Sequence, residues 1–253
     1  MPEGPVVVTG AASGIGAAVA AHLRADGVRV IGVDRGPAEP GGDDVACDLG
    51  DAGAIDALLA DLPVLGGLVN CAGVPGTHPP ERILAVNLLA PRRLAAGVRL
   101  ATGAAVVDVA SIAALRSERS ADDVATVLAD DDADAQAWLA DAGLDGTATY
   151  DFTKQALVAL SLQRAKAWLG TGARSVSVSP GPTTTPILTD FEETMGADRM
   201  AAAAALVGRH GEPDDIAPMI AFLLSDGARW INGVDVRADG GVIGARLAPA
   251  TPE

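Results

Sequence analysis

The sequence predicts an α/β fold, a doubly wound parallel sheet with helices on both faces. Three observations carry that expectation. Short apolar runs alternate along the chain with helix-period segments, the pattern of parallel strands joined by crossover helices. The first such run feeds a glycine-rich turn that opens a helix, Thr9-Gly10-Ala11-Ala12-Ser13-Gly14-Ile15-Gly16. The 253 residues, 49% of them hydrophobic and with no long polar linker, suffice for one large core, so residues 1–253 read as a single domain.

Pro5-Val6-Val7-Val8 reads as a buried strand, and Ala17-Ala18-Val19-Ala20-Ala21-His22-Leu23 as the helix that leaves the turn. A helix N-terminus offers unpaired N–H groups and a partial positive charge, which suits a pyrophosphate, and glycines let the backbone approach it. A glycine turn alone is also simple punctuation; the strand before and helix after are what a dinucleotide site requires. Asp26-Gly27 then leads to a second strand, Val28-Arg29-Val30-Ile31-Gly32-Val33, ending in Asp34. That is about 20 residues beyond the turn, where a carboxylate accepts from the adenosine ribose hydroxyls. A carboxylate there repels a 2′-phosphate, which favours NAD over NADP. Arg35 is the dissenting neighbour, since a guanidinium can pair with that phosphate.

Further strands are read at Leu68-Val69 and Ala104-Ala105-Val106-Val107-Asp108-Val109-Ala110. Between Ser111 and Tyr150 lies a long stretch with amphipathic helix character around Val124–Leu128 and Ala137–Leu139. The only tyrosine, Tyr150, stands four residues before Lys154. On a helix the two share a face. A cation alongside a phenol favours phenolate and brings its pKa down towards working pH. By itself the pair also reads as a half-buried aromatic beside a surface lysine.

Together these residues resemble the short-chain dehydrogenases/reductases, in the single-domain Rossmann branch with a Thr-Gly-x-x-x-Gly-x-Gly turn and a Tyr-x-x-x-Lys pair. Asp48 in Cys47-Asp48-Leu49 matches the family position beside the adenine. Asn70-Cys71-Ala72-Gly73 matches Asn-Asn-Ala-Gly with its second Asn replaced by Cys71. Asn87 in Ala85-Val86-Asn87-Leu88-Leu89 matches the asparagine that steadies a proton-relay water, and Ser111 matches the substrate-binding serine. Pro180-Gly181-Pro182-Thr183-Thr184-Thr185-Pro186 matches the turn that holds the nicotinamide carboxamide. Gly211-Glu212-Pro213-Asp214-Asp215-Ile216-Ala217 and Asp239-Gly240-Gly241 match the last helix start and closing turn. Singly, the asparagines also read as cap or turn residues and Ser111 as a strand-end hydroxyl. Their order favours the resemblance, because ligands of an open parallel sheet collect at the carboxyl ends of its strands.

The resemblance implies catalytic roles for Tyr150, Lys154, Ser111 and Asn87. It implies cofactor contacts from Gly10, Ser13, Gly14, Ile15, Gly16, Asp34, Arg35, Asp48, Leu49, Asn70, Ala72, Gly73, Tyr150, Lys154, Pro180, Gly181, Thr183 and Thr185. Lys154 is expected to lower the Tyr150 pKa and to hold the nicotinamide ribose. The short stretch from Gly73 to Asn87 and an insertion at about 112–148 resemble the 3α-hydroxysteroid dehydrogenase/carbonyl reductase subgroup and coniferyl alcohol dehydrogenase-like members. A lid is expected at about 186–208. Its side chains Ile187, Leu188, Phe191 and Met195 are apolar with no clustered cation, so a neutral, apolar alcohol or ketone is the expected substrate, touching these and Ser111 and Tyr150. The bland alternative is that these residues only fasten the lid.

Composition narrows the partners. A formal net charge of −15 without a basic stripe argues against nucleic acid. Apolar stretches are broken by charge before spanning length, so no membrane helix or signal peptide is read. Cys47 and Cys71 sit at strand ends without metal-type spacing, which reads as free thiols in a reducing, cytoplasmic setting. His22, His78 and His210 are scattered and read as surface residues, and Asp130-Asp131-Asp132 as a solvated run that helps start a helix. A homodimer or homotetramer is expected, with the insertion blocking or rebuilding the family's usual helix interface. Two other classes remain: a 3-oxoacyl carrier-protein reductase, which calls for a basic patch, and a non-catalytic NAD-binding sensor, which would have lost Ser, Tyr or Lys.

Overall fold

The computed structural model describes residues 3–36, 43–129, 131–188, 190 and 197–248. One seven-stranded sheet organises them. Its strands are β1 (Val6–Thr9), β2 (Val30–Asp34), β3 (Val45–Ala46), β4 (Leu65–Asn70), β5 (Leu100–Val109), β6 (Arg174–Pro180) and β7 (Asp235–Ala238), in the order β3-β2-β1-β4-β5-β6-β7. Every neighbouring pair is parallel. The order reverses between β1 and β4, and a crevice opens at such a switch point outside the strand ends.

β1 and β4 are buried along their whole length. A parallel strand covered on both faces has no polar side to alternate, which is why these segments read as continuous apolar runs. On one face Val6, Val8, Val69, Val107 and Val176 pack with α1 (Gly14–Ala25) and α9 (Pro213–Leu224). On the other, Val7, Ile31, Leu68 and Val106 pack with α2 (Ala52–Asp61) and α4 (Ala90–Gly97). The long helix α7 (Gly146–Ala167) packs on β5 and β6, and two shorter helices, α8 (Ala197–Val207) and α10 (Val242–Leu247), close the carboxyl end.

The expected short link before Asn87 contains one small helix, α3 (Pro80–Leu84). It runs into α4 through a π-helical turn, Ala85–Leu89, with Asn87 at its centre. Single π-turns of this kind re-aim side chains and occur often at functional sites.

The insertion folds as a 3₁₀ turn (Ile112–Arg116), α5 (Ala121–Ala129) and α6 (Asp132–Ala142). Val124, Val127, Ala135 and Leu139 are buried against Leu88, Leu89, Phe152, Ala156 and Leu160 of the π turn and α7. Trp138 stacks on Phe152 with ring centroids 4.5 Å apart. Asp131 caps α6 by accepting from the Ala133 and Asp134 amides. Asp132, read as solvated, instead takes Arg92 at 2.6 Å and Arg93 at 3.0 Å, so it fastens the insertion to α4. Asp130 lies outside the described residues. The outer face of the π turn and of the first half of α7 is therefore covered by the chain itself.

Candidate active site

The crevice at the carboxyl ends of the strands is one continuous cavity of about 740 Å³. Its first wall is the turn after β1. Gly10 has φ +70°, and a Cβ on it would come within 2.9 Å of the Ala72 Cα. At Gly16 a Cβ would lie 2.2 Å from the Gly10 carbonyl oxygen. Only glycine lets the turn, the helix and the segment after β4 approach so closely. Thr9 fixes that approach: its Oγ1 accepts from the Cys71 and Ala72 amides, each at 3.0 Å.

The N-terminus of α1 is left open. Ser13 stands at the N-cap without a side-chain cap bond, and no carboxylate occupies the first turn. The helices α2, α6 and α7 are capped by Asp51, Asp131 and Asp145. Unused amide donors with a positive end-charge on a cavity wall form an anion seat, and a dinucleotide pyrophosphate fits it. At the end of β2, Asp34 lines the same cavity; it accepts from the Ala12 amide at 3.0 Å and the Arg35 amide at 2.7 Å. Arg35 lines it too.

Towards the other end, Ser111 follows β5 and N-caps the 3₁₀ turn, accepting from the Ala113 amide at 3.1 Å. Tyr150, one turn into α7, hydrogen-bonds Ser111. Lys154, one turn further on, is 5% exposed; its Nζ donates to the Val109 carbonyl at 2.9 Å and lies 5.7 Å from the Tyr150 ring centre.

The electrostatics correct one expectation. The Tyr150 phenol is pushed up from its ordinary value, chiefly by burial; the Ser111 hydrogen bond and the Arg116 charge pull it down and Asp151 raises it further. Lys154 is not the group that governs it. Burial pushes Lys154 itself down to about 8, against smaller upward pulls from Cys71 and Asp108. A neighbouring cation still favours phenolate, but the net shift is the sum of the opposing effects, and here burial outweighs the rest.

That depressed lysine has a signed consequence. Below pH 8 the folded protein carries a buried ammonium; between about 8 and 10.5 the unfolded chain binds more protons, so this group's contribution to stability rises with pH. Lys154→Met is expected to be more stable than the unaltered protein at pH 7, by up to about 3 kcal/mol, with the gap closing towards pH 10. Urea unfolding of both proteins at the two pH values measures it, and a gap that widens with pH would contradict the assignment.

Of the residues expected at the site, Gly10, Ser13, Gly14, Ile15, Gly16, Asp34, Arg35, Leu49, Ala72, Gly73, Ser111, Tyr150, Lys154, Pro180, Gly181, Thr183, Thr185 and Ile187 line the one cavity. Four do not. Asp48 is turned to Arg82, whose Nη2 donates to it at 2.6 Å, and it is Arg82 that joins the wall. Asn70 donates to Asp108 at 2.8 Å and is buried behind the site. Leu188 lies outside the lining. Asn87 is 0% exposed, with Oδ1 accepting from the Val74 amide and Nδ2 donating to the Val74 carbonyl. It braces the segment after Gly73 and keeps one N–H and one lone pair for a further partner. Phe191 and Met195 lie outside the described residues.

The wall also holds residues that the sequence reading left out: Cys47, Cys71, Val74, His78, Arg82, Ile112, Arg116, Asp190 and Arg246. The two cysteines directly follow β3 and β4, so the strand-end rule that located Asp34 would have found them. They are free, and burial pushes Cys71 up to about 12. His78, read as a surface residue, and Arg116 belong to the loop after Ala72 and to the insertion, whose paths no local pattern fixes. Arg82, Arg116 and Arg246 add cations to a wall of which only the lid side chains were expected to be free of them.

Comparison with known proteins agrees with this geometry. Residues 6–167 match the model of the NAD dependent epimerase/dehydratase family, and residues 136–243 that described as enoyl-(acyl carrier protein) reductase. Coniferyl-alcohol dehydrogenase of Pseudomonas sp. (strain HR199) is 36% identical over 94% of this chain and 95% of its own length. The 3-alpha-hydroxysteroid dehydrogenase/carbonyl reductase of Comamonas testosteroni is 31% identical over 94% and 95%. The crystal structure of 3-alpha-hydroxysteroid dehydrogenase from Pseudomonas sp. B-0831, complexed with NADH, superposes with a TM-score of 0.84 at 32% identity, over 97% of this chain and 99% of that one.

Fold and cavity define a nicotinamide-dinucleotide-dependent oxidoreductase that acts on alcohol groups. The chain belongs to the short-chain dehydrogenase/reductase family. No helix among the described residues is long and apolar enough to cross a membrane.

Proposed function

We propose that the protein is an NAD-dependent dehydrogenase interconverting a primary or secondary alcohol and its carbonyl on a neutral, largely apolar molecule: a steroid, an aromatic alcohol or a terpenoid alcohol. The observation that carries this reading is the Tyr150–Ser111 hydrogen bond beside a buried Lys154, in the cavity that also holds the open end of α1. The relatives' named substrates, coniferyl alcohol and a 3-alpha-hydroxysteroid, have such bodies and support it.

Bound NAD would supply the hydride acceptor for oxidation, and its reduced form the donor for reduction. The pyrophosphate would rest on the α1 N-terminus, the adenosine ribose against Asp34 and the nicotinamide end near Thr183 and Thr185. Ser111 hydrogen-bonds the substrate oxygen and Tyr150 gives it a proton, or takes one in the oxidising direction. Both bonds strengthen as that oxygen gains negative charge, which is where they accelerate the reaction. Lys154, held by Val109, keeps further N–H donors for the nicotinamide ribose. Asn87 holds a relay water with the donor and lone pair that Val74 leaves unused.

The family-model description of residues 136–243 raises the carrier-protein reading. A net charge of −15 opposes it, since an acidic carrier would be repelled. The sensor reading requires loss of Ser111, Tyr150 or Lys154, and all three are present. We further propose a cytoplasmic homodimer that joins through elements other than the face of the π turn and the first half of α7, because α5 and α6 already cover it. Light scattering with interface mapping tests this, and a tetramer built on that face refutes it.

The function is tested by following reduced-nicotinamide absorbance with a panel of steroid, aromatic and terpenoid alcohols and an acyl-thioester, each with NAD and with NADP. Turnover of at least one alcohol with NAD preferred is the expected result. A thioester preference, or equal use of NADP, overturns the corresponding part.

A further inference from the structure

Arg116 is among the polar groups of the cavity wall that the chemistry above leaves unused. Arg116 stands at the end of the 3₁₀ turn that begins after Ser111 and lines the same cavity as Ser111 and Tyr150. Its guanidinium is pinned: Nε donates to Asp151 Oδ2 at 3.0 Å and Nη2 to Oδ1 at 2.5 Å. Asp151 is the residue after Tyr150 on α7 and is 7% exposed, so the fork is anchored on the helix that carries the phenol. Nη1 makes no hydrogen bond among the described residues. The neighbouring wall is apolar, with Val74 and Ala113 packed around Tyr150.

A planar guanidinium held this way presents a fixed N–H edge at little entropic cost. Asp151 already balances its charge, so a second full anion gains little. An uncharged oxygen receives a charge-assisted hydrogen bond and displaces no counter-ion. A plain hydrocarbon body would instead leave the edge without a partner wherever it excludes water.

We propose that Arg116 is a specificity-determining residue that donates from Nη1 to an uncharged oxygen, a hydroxyl, ether or ketone, carried by the substrate away from the reacting carbinol. The substrate is then an alcohol with an apolar body and a second oxygen. This rests on the alcohol dehydrogenase reading and narrows it.

The test uses alcohols paired so that they differ by that oxygen: cinnamyl against 4-hydroxycinnamyl alcohol, and a 3α-hydroxysteroid with and without a ketone at its far ring. Each is assayed with NAD on the unaltered protein, Arg116→Ala and Arg116→Gln, the glutamine leaving Asp151 a hydrogen-bond partner. The unaltered protein is expected to prefer the oxygenated member of at least one pair by about tenfold or more in kcat/KM, chiefly through KM. Both variants should bring that ratio to near one. General damage around Tyr150 would slow both members equally and leave the ratio standing, which overturns the assignment, as does an unaltered ratio near one in both pairs. If no alcohol is turned over, the dehydrogenase reading itself fails and takes this proposal with it.

Discussion

Tyr150→Phe is expected to lower turnover of any alcohol or carbonyl substrate by at least about a hundredfold, the low end for losing a general acid or base. The substitution removes one oxygen and keeps the ring that walls the cavity, so NADH should still bind with nearly unchanged affinity. The expectation has a structural basis beyond the motif. The phenol is 8% exposed and hydrogen-bonded to Ser111 at the cavity wall, and burial pushes its pKa up. Cys71 is raised as well and is no competitor as a thiolate. Steady-state rates paired with a fluorescence titration of NADH separate the two effects. A variant retaining more than a tenth of the activity would move the proton to another group. One that lost cofactor affinity along with activity would show that the hydroxyl organises the cavity instead of reacting in it.

What the sequence could reveal follows from how local each feature is. The turn from Thr9 to Gly16 is a contiguous motif in which each residue type answers a backbone need, so both its place and its use are readable. Asp34, Ser111 and Pro180 are strand-end residues, and the parallel-sheet rule gathers them from distant positions. Tyr150 and Lys154 share a helix face by spacing alone. Their charges were not readable: the expected cation effect depends on who is nearest and how dry each group is, and here burial dominates both. Asp48 and Asn70 match a pattern by position, yet their side chains answer to Arg82 and Asp108, partners supplied by other elements. Arg116 was invisible for a related reason. It sits at the mouth of an insertion, and the packing of the Ile112–Arg116 turn on α7 brings it to Asp151.

Asp108→Ala is expected to destabilise the protein by about 3–5 kcal/mol, the usual cost of stripping one partner from a buried ion pair. Asp108 is 0% exposed on β5 and accepts from Arg164 Nη1 at 2.8 Å and Asn70 Nδ2 at 2.8 Å. Arg164 comes from α7 and also reaches Ser175 of β6 at 3.4 Å, while Ser175 is bonded to Ser161 at 3.0 Å. Asn70 Oδ1 and Arg164 Nη2 are buried without a hydrogen-bond partner among the described residues. The network is thus already incompletely satisfied, and losing the carboxylate leaves a buried guanidinium with no counter-charge. Replacing both partners, Asp108→Leu with Arg164→Met, should recover part of the loss, because an apolar pair of similar volume needs no counter-charge, while Asn70 Nδ2 is left without its acceptor. Urea unfolding of the single and double variants decides it; a single variant within about 1 kcal/mol of the unaltered protein, inside the range of an exposed pair, would refute the burial argument. A second readout asks why an ion pair is there at all. Asp108 precedes Val109, whose carbonyl holds Lys154, and Arg164 ties that end of β5 to the helix carrying Tyr150. If the pair sets this geometry, the double variant will be stable yet slower, with NADH binding weakened through Lys154. Full activity in the stable double variant would reduce the network to a packing feature.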